Sequence, residues 1–197
     1  MNAYFSALEN ANIQRKEMHR MNVICFGDSN TYGYDPGGYF GGRYDADCRW
    51  VDILAAETGW TISNMGQNGR EIPFVVPTFS VNTDLLIVML GTNDLLQGRS
   101  PEQATERLMR FLAAVPLDRS KILLIAPSPL ALGAWVPSPQ LIDDSHTFAR
   151  CCKALAKQLG IRFADAGRWD IPLAYDGVHF TEQGHKTFAA KLLEELK

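Results

Sequence analysis

A serine, an amide and an aspartate–histidine pair stand at points in this chain where catalytic side chains are commonly displayed. Ser29 sits in the run Val23-Ile24-Cys25-Phe26-Gly27-Asp28-Ser29-Asn30. Its apolar part reads as a buried strand, and a serine just past such a strand leaves the sheet with its hydroxyl exposed on rigid structure. Asp176-Gly177-Val178-His179 supplies a carboxylate and an imidazole three positions apart, and Gly91-Thr92-Asn93-Asp94 follows another apolar run. Taken singly, these are ordinary turn and cap residues. Together they contain what acyl transfer by serine needs: a hydroxyl, a base, a group to hold the base, and donors for the oxyanion of the tetrahedral intermediate.

The roles follow from the chemistry of each type. Ser29 is the nucleophile. His179 is the general base and then the acid that protonates the leaving alcohol. Asp176 accepts from the other ring nitrogen and so fixes the tautomer. The expected oxyanion donors are the backbone N–H of Ser29, the backbone N–H of Gly66 and the side-chain amide of Asn93. Two other histidines compete for the base role. His185 falls inside the last predicted helix and is read as structural, and His146 is read as a solvent-facing helix residue. Asp28 and Asp94 are expected to hold their loops by bonding backbone N–H groups. Arg49 and Arg70 are expected in ion pairs with Asp45, Asp47 or Glu71 rather than on an anionic substrate. Among the loop aromatics, Tyr32 and Trp135 are the candidate pocket residues.

Five apolar runs, Asn22–Phe26, Thr61–Met65, Asp84–Leu90, Lys121–Pro127 and Ile161–Asp165, read as strands. Helical patterns separate them: Arg49–Thr58 stopped by Gly59, a helix capped by Ser100 with Pro101 in its first turn and running toward Val115, one opening at Asp143 or Asp144 and stopped by Gly160, and a last one capped by Thr181. Alternating apolar strands and helices predict an α/β fold, a flavodoxin-like three-layer α/β/α sandwich around a five-stranded parallel sheet. Ligands of such sheets bind beyond the carboxyl ends of the strands, where Ser29, Gly66 and Asn93 all fall. The segments Tyr32–Tyr44 and Ser128–Leu141 read as long loops on that rim.

The chain of 197 residues has a formal net charge of −3 and no basic run, which argues against nucleic acid or an anionic membrane as partner. No stretch is long and apolar enough to span a bilayer. Residues 1–20 carry scattered charges and no apolar core, so they are read as an N-terminal extension or arm rather than a secretory signal. Residues 21–197 are expected to form one domain, located in the cytoplasm. The four cysteines, Cys25, Cys48, Cys151 and Cys152, are read as free thiols, with no metal-type spacing among them.

Gly27-Asp28-Ser29, Gly66, Gly91-Thr92-Asn93-Asp94 and Asp176-x-x-His179 stand in the order of the four blocks of the SGNH (GDSL-type) hydrolase family, which the chain resembles from Met21 onward. It looks closest to the cytoplasmic arylesterase/acyltransferase branch. In the second block Gly69 is available as well as Gly66, and Asn30 stands where the family's name has leucine. The resemblance implies hydrolysis of small esters, with no cofactor and no metal. The leading expectation is a serine esterase that acts on short-chain, acetyl-type esters through an acyl-enzyme and also transfers the acyl group to alcohols. Acetylated carbohydrate, lysophospholipid or acyl-thioester are alternative substrates for the same machinery. An alternative of another class is a non-catalytic flavodoxin-like nucleotide-binding module, although the first loop lacks the lysine of a P-loop and the G-x-G-x-x-G spacing. The rim loops and the N-terminal arm offer a route to homo-oligomers.

Overall fold

The strand residues point alternately to two opposite faces, and both faces are buried. The computed structural model describes residues 20–38 and 42–197. Within them the strands are β1 (Asn22–Gly27), β2 (Thr61–Gly66), β3 (Leu85–Met89), β4 (Ile122–Ala126) and β5 (Arg162–Asp165). All neighbours pair in parallel, in the order β2-β1-β3-β4-β5. The helices are α1 (Ser29–Tyr32), α2 (Trp50–Thr58), α3 (Thr92–Leu96), α4 (Pro101–Ala114), α5 (Pro139–Leu159) and α6 (Glu182–Glu195). Ile24, Phe26, Leu86, Val88 and Leu124 face one way, against Leu108, Phe111 and Leu112 of α4 and Phe148, Cys152 and Leu155 of α5. Val23, Cys25, Leu85, Ile87, Leu123 and Ile125 face the other way, against Trp50 and Leu54 of α2 and Phe188, Ala189 and Leu192 of α6. The period-2 alternation of apolar side chains thus builds the three-layer sandwich predicted from sequence.

Local signals set the helix ends. Ser100 accepts from Gln103 N–H at 3.3 Å, and the Gln103 side chain accepts from Ser100 N–H at 3.0 Å. This reciprocal cap is worth about 1 kcal/mol. Helix α5 starts at Pro139, earlier than the expected Asp143 or Asp144, because Ser138 caps it and proline occupies its first turn. The end of the expected Ser128–Leu141 loop is therefore helical. Two short helices, α1 and α3, occupy what read as simple turns. The expected arm at residues 1–20 lies, up to residue 19, outside the described residues. Among the described residues no helix is long and apolar enough to cross a membrane.

The order of this sheet places a topological switch between β1 and β3, since the chain leaves these adjacent strands in opposite directions. Ser29 follows β1 and Asn93 follows β3, so both stand at the crevice that such a reversal opens.

Candidate active site

Ser29 is the first residue of α1, directly behind the cap. Asp28 caps that helix by accepting from Asn30 N–H at 3.0 Å, which turns the chain sharply out of β1. The first N–H of a helix has no intrahelical acceptor, so that of Ser29 is open to a ligand. Burial pushes the Asp28 carboxyl up to about 7, against the hydrogen bond from Asn30 and the charge of Arg70.

His179 Nε2 lies 2.9 Å from Ser29 Oγ, and His179 Nδ1 lies 2.7 Å from Asp176 Oδ2. The serine, imidazole and carboxylate expected from sequence are thus brought together across 150 residues of chain. The other oxygen of Asp176 accepts from the N–H groups of Val178 and His179, both at 2.9 Å. Burial pushes the Asp176 carboxyl up, but the bonds from the His179 N–H, the His179 ring and Val178 N–H outweigh it and hold the group below the usual carboxylate value. An ionised carboxylate only accepts hydrogen bonds, so Nδ1 carries the ring proton and Nε2 is left to accept from the serine hydroxyl.

The base loop is held from several sides. Ala131, Ala134 and Trp135 donate their N–H groups to the carbonyls of Gly177, Tyr175 and Asp176 at 3.0, 3.1 and 3.0 Å. Gly177 has φ +80, and a Cβ there would stand 2.0 Å from the Ala131 oxygen, so the tight turn and the close loop contact both require glycine. Two aromatic rings cover the imidazole. Tyr34 lies with its centroid 4.5 Å from that of His179, and Trp135, 51 % exposed, meets it edge-on at 5.0 Å. Trp135, a candidate pocket residue, thus stands beside the base. Tyr32 does not lie on the imidazole: its ring is covered by the Arg43 guanidinium at 4.5 Å, and Tyr34 has the place beside the base.

On the opposite side of the serine, the expected Gly66 donor is already committed. Its N–H donates to Asn64 Oδ1 at 2.9 Å. Gly66 has a packing role instead, because a Cβ there would stand 2.1 Å from the Tyr32 nitrogen. Gly69 has φ +69 with open space around its Cβ position, and its N–H has no backbone acceptor among the described residues. Asn93 donates one amide hydrogen to the Arg70 carbonyl at 3.1 Å, which leaves the second hydrogen of the same nitrogen uncommitted.

The arginines hold this side together. Arg70 bonds the Gly27 carbonyl and Gln67 Oε1, both at 2.9 Å, and also the Met65 carbonyl. It thus ties the second block to the end of β1 instead of pairing with an acid. Arg49 pairs with Asp52 at 2.7 Å rather than with Asp45 or Asp47, and Glu71 pairs with Arg99 and Arg107 at 2.9 and 2.8 Å. Asp94 accepts from Ile72 N–H at 2.9 Å and pairs with Arg107 at 3.0 Å, which fixes α3, the short helix after β3, against the second block and α4. His185 is fully buried between the rings of Tyr44 and Phe180, and burial pushes its pKa down to about 3. It packs as a neutral ring, and His146 lies exposed on α5, as expected.

One site residue was passed over in the sequence. Asn30 is 6 % exposed, and its side chain bonds Val178 O at 3.1 Å and Phe180 N–H at 2.9 Å. Its departure from the family's leucine was the available signal.

The comparisons agree with this architecture. Residues 25–187 match the model of the GDSL-like lipase/acylhydrolase family. Among solved structures, the M. smegmatis aryl esterase is 26% identical, with a TM-score of 0.75 over 89% of this chain and 98% of that one. Est24, a carbohydrate acetylesterase from Sinorhizobium meliloti, is 23% identical, with a TM-score of 0.74 over 89% and 98%. A member of the lipolytic protein G-D-S-L family from Veillonella parvula DSM 2008 is 23% identical, with a TM-score of 0.71 over 88% and 97%. A comparison with curated proteins finds no match. The match covers most of the chain, and the chain therefore belongs to the GDSL-like lipase/acylhydrolase family and is a carboxylic ester hydrolase.

Proposed function

We propose that the protein is a serine esterase that cleaves short-chain esters through an acyl-enzyme on Ser29. The observation that carries this reading is the unbroken line Ser29 Oγ, His179, Asp176, with contacts of 2.9 and 2.7 Å. Ser29 Oγ attacks the ester carbonyl while His179 Nε2 takes its proton. The tetrahedral oxyanion is received by the Ser29 N–H, the free Asn93 amide hydrogen and the Gly69 N–H, the last replacing the committed Gly66 N–H. His179 returns the proton to the departing alcohol, and the acyl group stays on Ser29. Water then repeats the sequence, with His179 again as base. An alcohol that takes the place of water gives acyl transfer, which the aromatic cover of Tyr34 and Trp135 favours by thinning the water around the imidazole.

Turnover of p-nitrophenyl esters of graded acyl length tests this reading. Acetyl and other short esters are expected to react fastest. Ser29→Ala and His179→Ala should each lower kcat by on the order of 10⁴-fold or more with the fold intact. Turnover that survives Ser29→Ala would overturn it. Product ratios in mixed water and alcohol test the transfer step, and purely hydrolytic turnover would remove that step alone.

A further inference from the structure

Asn30 has every polar group engaged, and its partners flank the base. Its N–H donates to Asp28 Oδ1 at 3.0 Å, and its carbonyl accepts from Trp50 Nε1 at 2.9 Å. Its side-chain nitrogen donates to the carbonyl of Val178 at 3.1 Å, and its side-chain oxygen accepts from the N–H of Phe180 at 2.9 Å. The amide thus grips the residue before His179 and the residue after it, as a neighbouring strand would. Because Asn30 directly follows Ser29, the grip runs from the nucleophile's own turn to the loop that carries the base. Trp50, buried in the core on α2, holds the other end of the same residue.

The Asp176–His179 pair is internal to one loop, so nothing in it sets the distance to Ser29. The structure assigns that task to Asn30: it is a positioning residue that acts through His179 by fixing the base loop in register with the nucleophile turn. The assignment rests on the Ser29–His179–Asp176 reading above. An apolar residue in its place would leave a buried carbonyl and a buried N–H without partners, on the two peptides that flank the base. The loop would move to find other partners, and a displacement of about 1 Å between reacting groups can cost roughly 100-fold in rate.

Asn30→Leu and Asn30→Asp, run beside wild type and Ser29→Ala, test the assignment. Asn30→Asp keeps the acceptor for Phe180 N–H and loses the donor to Val178 O. The readouts are kcat and KM for p-nitrophenyl acetate, with kcat expressed per serine able to form an adduct with a fluorophosphonate, and melting temperature as the check on fold. Asn30→Leu should lower kcat per reactive serine by about 100-fold with KM changed by less than about threefold. Asn30→Asp should fall between Asn30→Leu and wild type, and it carries the test if the leucine variant does not fold. A purely structural role would lower the melting temperature and the number of reactive serines while leaving kcat per reactive serine within about threefold of wild type. That result would overturn the assignment with the triad intact. If Ser29→Ala retained wild-type turnover, the triad reading itself would fail.

Discussion

The two sides of Ser29 are built differently. On the base side, residues 174–180 are pinned by Asn30, by three N–H groups of the 131–135 segment and by the bonds within Asp176-x-x-His179. On the oxyanion side, residues 64–76 are anchored mainly through Arg70 and Asp94, and they run into a segment where Phe74 and Val75 are 83 % and 81 % exposed. The difference follows from what each side must do. A base has to meet a group that is always present, so its geometry can be fully fixed by the protein. Oxyanion donors meet a charge that exists only during reaction, so at least one N–H must be left without a protein partner. The base side should therefore be sensitive to any loss of alignment, and the oxyanion side to loss of individual donors.

Asp176→Asn attacks the base side where the contrast is greatest. An amide nitrogen facing Nδ1 would stabilise the tautomer with its proton on Nε2, which cannot accept from Ser29 Oγ. We expect kcat to fall by about 10³- to 10⁴-fold, less than for Ser29→Ala, in stopped-flow or steady-state ester assays. Asn93→Ala attacks the other side. It removes one donor and should lower kcat by about 100- to 1,000-fold, with KM little changed.

The two glycines of the second block sharpen the comparison through stability. Gly66→Ala drives a methyl into the backbone at Thr31 and Tyr32, and should cost about 3 kcal/mol in urea unfolding. Gly69→Ala meets open space and should cost only about 1 kcal/mol, the penalty for its left-handed backbone. If both substitutions cost the same, Gly66 is not the packing glycine described above.

Asp28 gives a smaller, pH-dependent effect at the hinge between the two sides. Its folded value of about 7 lies above the ordinary carboxylate value. The folded protein therefore holds a proton that the unfolded chain releases, and this contribution is complete at low pH and lost as pH rises through about 7. Asp28→Asn removes that titration. Its melting temperature relative to wild type should rise between about pH 4 and 7 and level off above, by an amount equivalent to roughly 4 kcal/mol. A difference that is flat with pH would contradict the raised value.

Much of this was legible in the residues. The sheet is strong in the sequence because its strands are continuous apolar runs, and the period-2 alternation that builds two cores needs no long-range information. The aspartate–histidine pair is legible because it is local. Helices α1 and α3 are not, since four or five residues are too few to show a helical period. The start of α5 was marked by Ser138 and Pro139, the same signal that was read correctly at Ser100 and Pro101, but here it was hidden among the prolines of a long loop. Gly66 and Gly69 could not be told apart without the Asn64 side chain, which takes the N–H of one of them. The grip of Asn30 joins positions 148 and 150 residues apart, and only the folded chain brings them together.

Mass spectrometry of the wild-type protein after exposure to a fluorophosphonate addresses the nucleophile directly. A single covalent adduct on the peptide that contains Ser29 is expected, absent in Ser29→Ala and formed far more slowly in His179→Ala. No adduct, or one on a different residue, would contradict the account.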